Sequence, residues 1–334
     1  MDTPDGRASA AAAVPDSADA NRWSRIAERG SLVGMRITIW CYRSLGRRAC
    51  LALVYAIVTY FFLTDGPGRR ASRAYLNRVW QHPEGRAALG HRPRLRDDFE
   101  HYQAFGVSIV DRIAIWSGHT RGFEFEVHGV ELVDRLAEEG RGALVLGAHL
   151  GSFDALRLLA ERVKTTVNVL MFTEHAQHIN RIFRELSATA QTRVIAANPH
   201  SVQSVFEIRA CLARGEVVAI LGDRVEAGDR GRSASVPLLG GSVELPQAPF
   251  LLAQLLGCSV FLMLALRVTE DRYEVFTEKL TDPVELPRDE RDKRIGELLT
   301  AYAERLEHYC LKAPYQWFNF YDYWGDADSR RRGV

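Results

Sequence analysis

A chain of 334 residues is long enough to bury one large core and to carry an extension beside it. Its 43 Lys and Arg against 42 Asp and Glu leave a formal net charge of +1, which excludes the strongly basic footprint of a nucleic-acid binder. The five cysteines (Cys41, Cys50, Cys211, Cys258 and Cys310) form no C-x-x-C pair and sit mostly in apolar runs. They read as buried thiols, and neither a zinc site nor a disulfide framework is expected. His175 and His178 lack a second ligand cluster, so no metal is assigned to them.

Residues 1–20 are mostly Ala, Asp, Ser and Pro with little to bury, the composition of a disordered tail. They lack the early basic charge and apolar stretch of a signal peptide. Residues 21–70 form a second unit. From Trp23 to Tyr42 apolar residues mix with Arg25, Arg29, Arg36 and Arg43, a basic amphipathic pattern, and the run Ala49–Leu63 is uncharged. That run is shorter than the about 20 residues a bilayer core asks for. Arg47, Arg48, Arg69 and Arg70 flank it, and their stems can reach headgroups. Membrane contact is expected, as a single short span or an in-plane anchor, with a buried core helix as the plain alternative.

From residue 71 to 326 one domain is expected, followed by a tail at 327–334. Pro67, Pro83 and Pro93 interrupt the Arg-rich stretch up to Arg96. Leu95–Ser117 carries Phe99, Tyr102, Phe105, Ile109, Ile113 and Trp116 at helical spacing. Phe123–Val127 alternates, as a half-buried strand does. A short helix over Glu131–Glu138 leads into Ala143–Leu146, an apolar run bounded by Gly142 and Gly147 that reads as a buried strand. His149 follows it, and Gly151-Ser152 is read as opening a helix with Leu156, Leu158, Leu159 and Val163 on its apolar side. Asp154 lies in the first turn of that helix. Across such a turn its carboxylate can fold back on the imidazole of His149, fix the tautomer and leave the other nitrogen free to take a proton. A strand-capping histidine and a helix-end charge are the structural alternative.

His149 and Asp154 match the H-x4-D signature of the glycerolipid acyltransferase superfamily, and Gly142–Asp154 resembles its bacterial lipid A biosynthesis branch. The resemblance implies an acyltransferase-like fold with the domain on the cytoplasmic side of a bacterial inner membrane.

Beyond the dyad, Thr166–Phe172 reads as a buried strand, followed by a helix around Ala176–Leu186 and a short strand at Arg193–Ile195. A helix ending near Ala213 precedes the strand Glu216–Leu221, which ends in Gly222-Asp223-Arg224. Strands alternating with helices predict an α/β class, with a mixed, largely parallel sheet flanked by helices. Ligands bind beyond the carboxyl ends of such strands, which here are His149, Thr173-Glu174 and Asp223-Arg224. Asp223-Arg224 occupies the place of the family's acceptor-contacting block. It lacks the F-P-E-G form of the glycerol-phosphate enzymes, and the alternative is a polar turn. A basic loop over Val225–Ser235 precedes a hairpin read at Val236–Leu245, turning on Gly240-Gly241. Helix Phe250–Leu256, strands Val260–Leu266 and Tyr273–Phe276, and a helix over Asp289–Leu311 complete the domain. Ala313–Trp324 resembles the family's closing P-x-Q-(aromatic)-W segment.

The resemblance implies transfer of a fatty acyl group from a thioester of acyl carrier protein or coenzyme A to a hydroxyl or amine of a lipid-like acceptor. No separate cofactor is implied. His149 and Asp154 are the catalytic candidates. Gly151 and Ser152, whose amides could steady an oxyanion, together with Glu174, Arg184, Asp223 and Arg224, are the substrate-binding candidates. Membrane lipid and acyl carrier protein are the expected partners. A thioesterase or lipase-like hydrolase, or a non-catalytic membrane-associated binding protein, would use the same sequence features differently.

Overall fold

The computed structural model describes residues 32–116, 122–129, 131–155, 165–172, 192–197, 202–225, 232–287 and 289–325. The tails at 1–20 and 327–334, the helix read at 176–186 and most of the loop after Val225 lie outside these residues.

The described residues begin with one long helix, α1 (Leu32–Thr64), bent where Gly46 takes φ 81°. Only a residue without Cβ enters that region readily, so the glycine sets the bend. The second arm buries Val54, Val58 and Phe62 against α4 (Leu95–Trp116). The two helices meet at Gly106, where a Cβ would stand 2.6 Å from Val58 Cγ2 and 2.8 Å from Val54 Cγ1. On the outer side Trp40, Leu45, Tyr60 and Leu63 are each more than 60% exposed. Ile37–Thr64 is long and apolar enough to cross a membrane by length and composition. The helix therefore has two faces, one packed on α4 and one carrying large exposed apolar side chains that accord with membrane contact.

Between them, α2 (Gly66–Gln81) and α3 (Pro83–Leu89) occupy the stretch the prolines interrupt. Pro67 and Pro83 fall in the first turn of a helix, where a missing N–H costs nothing, and Pro93 lies in the link before Leu95. Asp65 accepts from the Gly68 N–H and the Tyr102 hydroxyl, which ties the start of α2 to α4.

The remaining elements in chain order are β1 (Glu124–His128), α5 (Glu131–Glu138), β2 (Ala143–Gly147), β3 (Val167–Phe172), β4 (Thr192–Ala197), α6 (Val202–Ala213) and β5 (Val217–Leu221). After these come β6 (Ser233–Leu238), β7 (Gly241–Pro246), α7 (Ala248–Leu256), β8 (Ser259–Arg267), β9 (Arg272–Thr281) and α8 (Arg291–Lys312). Seven strands form one sheet in the order β1-β9-β8-β2-β5-β3-β4. Strands β8, β2, β5, β3 and β4 are mutually parallel, and β9 is antiparallel to β8. The α/β class and the mixed, largely parallel sheet are therefore as the alternation of elements predicts. Central strands read as unbroken apolar runs because both faces are covered. Leu144 and Leu146 face a cluster with Leu298, Tyr302 and Leu306 of α8, while Ala143 and Val145 face Phe261 and Met263 on the other side.

The hairpin β6–β7 turns on Leu239-Gly240, one residue earlier than its glycine pair suggests. Both residues have positive φ, as a tight two-residue hairpin turn requires. The Leu239 N–H is taken by the Glu307 carboxylate, which holds a non-glycine residue in that conformation.

Candidate active site

The site is built by strand register. Strands β2 and β5 are parallel neighbours with Gly147 opposite Leu221. His149 and Asp223 each lie two residues past those partners, so the sheet delivers both side chains to the same carboxyl edge. The His149 Nδ1 lies 2.8 Å from Asp223 Oδ1, and the His149 backbone N–H donates to Oδ2 at 3.0 Å. A carboxylate accepts only, so Nδ1 carries the proton and Nε2 is left with its lone pair. Asp223 is fully buried, whereas the His149 side chain keeps 30% of its surface exposed.

Electrostatics suit a base. Burial lowers the His149 pKa; the Asp223 charge opposes that, and the Arg224 and Arg112 charges reinforce it, leaving the ring below the usual imidazole range. Burial works against the charge on Asp223, but the facing imidazole, its hydrogen bonds and Arg224 outweigh it and hold the carboxyl well below the usual carboxylate range. At neutral pH the pair is thus a neutral imidazole on an ionised carboxylate.

Sequence reasoning placed Asp154 on the imidazole. The structure instead places Asp223 there and brings Asp154 to α4, where Arg112 Nε donates to its Oδ2 at 2.5 Å. The cause is local: residues 153–155 form a single 3-10 turn that packs against α4, and the helix predicted to follow falls on residues outside those described.

Gly151 and Ser152 also take a different part. Gly151 has φ +72°, and a Cβ there would meet Ala265 O at 2.1 Å, so only glycine fits. Its N–H donates to Gln316 O at 2.8 Å, and the Ser152 N–H donates to Ala265 O at 2.7 Å. Both amides assigned to an oxyanion are therefore committed to holding the turn in place. Glu174 and Arg184 lie outside the described residues. Arg224 is present at the site, but its guanidinium is engaged: Nε donates to Asn319 Oδ1 at 2.7 Å and Nη2 to Phe318 O at 2.9 Å, with the group over the Tyr321 ring.

The closing segment, read in the sequence only as a resemblance to the family's last block, supplies contacts that were not assigned to its residues. Trp317 Nε1 donates to Asp223 Oδ2 at 3.2 Å and Asn319 Nδ2 at 3.3 Å, and the Tyr323 hydroxyl donates to the Asp223 carbonyl. Phe318 N–H donates to His149 O at 2.8 Å, and Leu150 bridges Trp317 in antiparallel fashion. From α8, the Tyr302 hydroxyl donates to Gly147 O at 2.8 Å. These contacts join positions some 100 to 170 residues apart; the resemblance of Ala313–Trp324 to the family's closing segment marks the stretch without naming its partners. Among the described residues no group of three or more His, Cys, Asp or Glu could hold a metal.

The family model for bacterial lipid A biosynthesis acyltransferases matches residues 38–325. The chain belongs to this family. It is an acyltransferase of lipid biosynthesis, and its exposed apolar helix accords with membrane association. Among solved structures it is similar to the 1-acyl-sn-glycerophosphate (LPA) acyltransferase PlsC from Thermotoga maritima. The match has 14% identity and a TM-score of 0.34, over 78% of this chain and 97% of that one. No curated protein sequence matches the chain.

Proposed function

We infer that the enzyme moves a fatty acyl group from an acyl thioester, carried by acyl carrier protein or coenzyme A, to a hydroxyl or amine of a lipid-like acceptor. His149 serves as general base and Asp223 as its orienting carboxylate. The observation that carries this reading is the 2.8 Å contact between His149 Nδ1 and Asp223 at the carboxyl ends of two paired strands. Nε2 takes the proton of the acceptor O–H or N–H while that oxygen or nitrogen attacks the thioester carbonyl. The C–S bond breaks as the tetrahedral intermediate collapses, and the imidazolium returns the proton to the leaving thiolate. No serine or cysteine nucleophile is needed, because the thioester is already activated. Asp154, held by Arg112, fixes the turn that presents His149. Arg224 lies close enough to affect His149 and is the candidate for an anionic group of the acceptor.

The reading extends to where the reaction occurs. Residues 21–70 form the membrane-associated unit and 71–326 the acyltransferase domain, placed on the cytoplasmic side of a bacterial inner membrane. The test is lipid mass spectrometry of bacterial membranes incubated with purified enzyme and either palmitoyl-acyl carrier protein or palmitoyl-coenzyme A. An acylated lipid that disappears with His149→Ala and with Asp223→Asn supports the proposal. Free fatty acid as the sole product would make the enzyme a hydrolase, and unchanged activity after His149→Ala would remove the base.

A further inference from the structure

The Asp223 carboxylate receives more than the imidazole. Its Oδ2 accepts from Trp317 Nε1, from Asn319 Nδ2 and from the His149 backbone, while among the described residues Oδ1 accepts from His149 Nδ1 alone. Trp317 is 1% exposed and Asn319 3%, so neither donor can be replaced by bulk water. The Asn319 amide has a defined sense: its oxygen accepts from Arg224 Nε, so its nitrogen must face Asp223. The segment bearing both residues is pinned along its length. Gln316 exchanges two hydrogen bonds with the Arg267 backbone, and the Trp317 carbonyl is 2.8 Å from His101 Nε2.

We propose that Trp317 and Asn319 are positioning residues for acyl transfer, drawing charge onto Asp223 Oδ2 and thereby limiting how strongly Asp223 holds a proton on His149, with Arg224 fixing the Asn319 amide. This rests on the reading of His149 and Asp223 as base and orienter. The physical reason is competition for one anion. Each donor on Oδ2 stabilises the carboxylate without help from an imidazolium, so the gain from protonating His149 is smaller. The base is then neutral and ready at neutral pH. Without those donors Asp223 would lean on His149, and the imidazole would stay protonated to higher pH. Arg224 thereby acts on the basicity of a ring it does not bond, through the Asn319 amide it fixes.

The test uses the full-length enzyme and diethyl pyrocarbonate, which acylates neutral imidazole, with the modification rate of each histidine followed by peptide mass spectrometry against pH. At His149 the atom that reacts is Nε2, because Nδ1 is bonded to Asp223. Exposed His91 serves as the reference, and His101, with 0% of its surface exposed, reports unfolding if it reacts. Trp317→Phe and Asn319→Leu each remove one donor at nearly constant shape, and each should raise the His149 midpoint by about half a pH unit or more. Asp223→Asn should lower it, because the anion that favours imidazolium is gone. Opposite signs from neighbouring positions are not the mark of general loosening. If the midpoint moves with Asp223→Asn but with neither donor variant, the proposal is overturned and the His149–Asp223 pair stands. If Asp223→Asn leaves the midpoint in place, the pair itself is wrong. Should Asn319→Leu expose His101, Trp317→Phe carries the test alone, since it keeps an aromatic ring against Tyr75 and Tyr323.

Discussion

Arg112 reaches across from α4 to hold Asp154, so the acid of the H-x4-D pattern is bound to a guanidinium while a different acid, Asp223, holds the histidine. If Asp154 acts by fixing the turn through Arg112, substitutions at the two positions should not add. Arg112→Gln with Asp154→Asn should cost no more in kcat/KM than the worse single change. Independent, multiplicative losses in that cycle would show that Asp154 has a role Arg112 does not share.

The same logic separates the two acids. Asp223→Asn should lower kcat by about 10² to 10⁴, since an amide can no longer offset imidazolium charge. Added to His149→Ala, it should cost almost nothing more, because the ring it orients is gone. Asp154→Asn should cost clearly less than Asp223→Asn. Steady-state rates for the four variants, with melting temperatures alongside, decide the point; the reverse ranking would return the orienting role to Asp154.

Why the sequence showed one pair and the structure another can be traced to register. The buried strands at Ala143–Gly147 and Val217–Leu221 were legible from their apolar runs, and so was the sharing of one edge by His149 and Asp223. Which carboxylate meets the ring depends on Gly147 lying opposite Leu221, a pairing between segments some 70 residues apart that composition does not encode. Trp317 and Asn319 were hidden for the same reason: their partner is Asp223, and their side chains follow no period. Conversely, the bend at Gly46 was missed because the residues on either side are equally helical, and only its φ reveals it.

Membrane attachment should depend on apolar burial rather than charge. Trp40, Tyr60 and Leu63 stand on the open face of α1. Replacing all three by serine should weaken partitioning to vesicles at least about a hundredfold, given about 1.5–3 kcal/mol per large apolar side chain buried. The wild-type chain should stay with membranes through a high-salt wash, which screens charges and leaves apolar contacts intact. Full release by salt, or unchanged flotation of the triple variant, would sink the idea.

The last prediction concerns the residue that pins the closing segment. His101 is buried between Ser72 Oγ, 2.9 Å from Nδ1, and the Trp317 carbonyl, 2.8 Å from Nε2. Burial lowers its pKa from an ordinary 6.5 to about 4, against a smaller opposing effect of the Trp317 carbonyl. In the unfolded chain the ring titrates near its ordinary value, so between pH 6.5 and 4 the unfolded state binds more protons than the folded one. Stability must therefore fall as pH drops through that window, by roughly 3 kcal/mol at pH 4 for a shift of this size. The lowered pKa of His149 acts in the same direction, so the measurement belongs in a His149→Gln background. Carboxylates with lowered pKa, such as Glu216 at about 2, lose their contribution mainly below pH 4.5, which leaves the upper part of the window to His101. Urea midpoints taken at pH 6.5, 5.5 and 4.5 should decline steadily, and His101→Asn should flatten that decline even though it lowers stability at neutral pH. An equal slope with and without His101 would mean that the closing segment is not held by a neutral histidine.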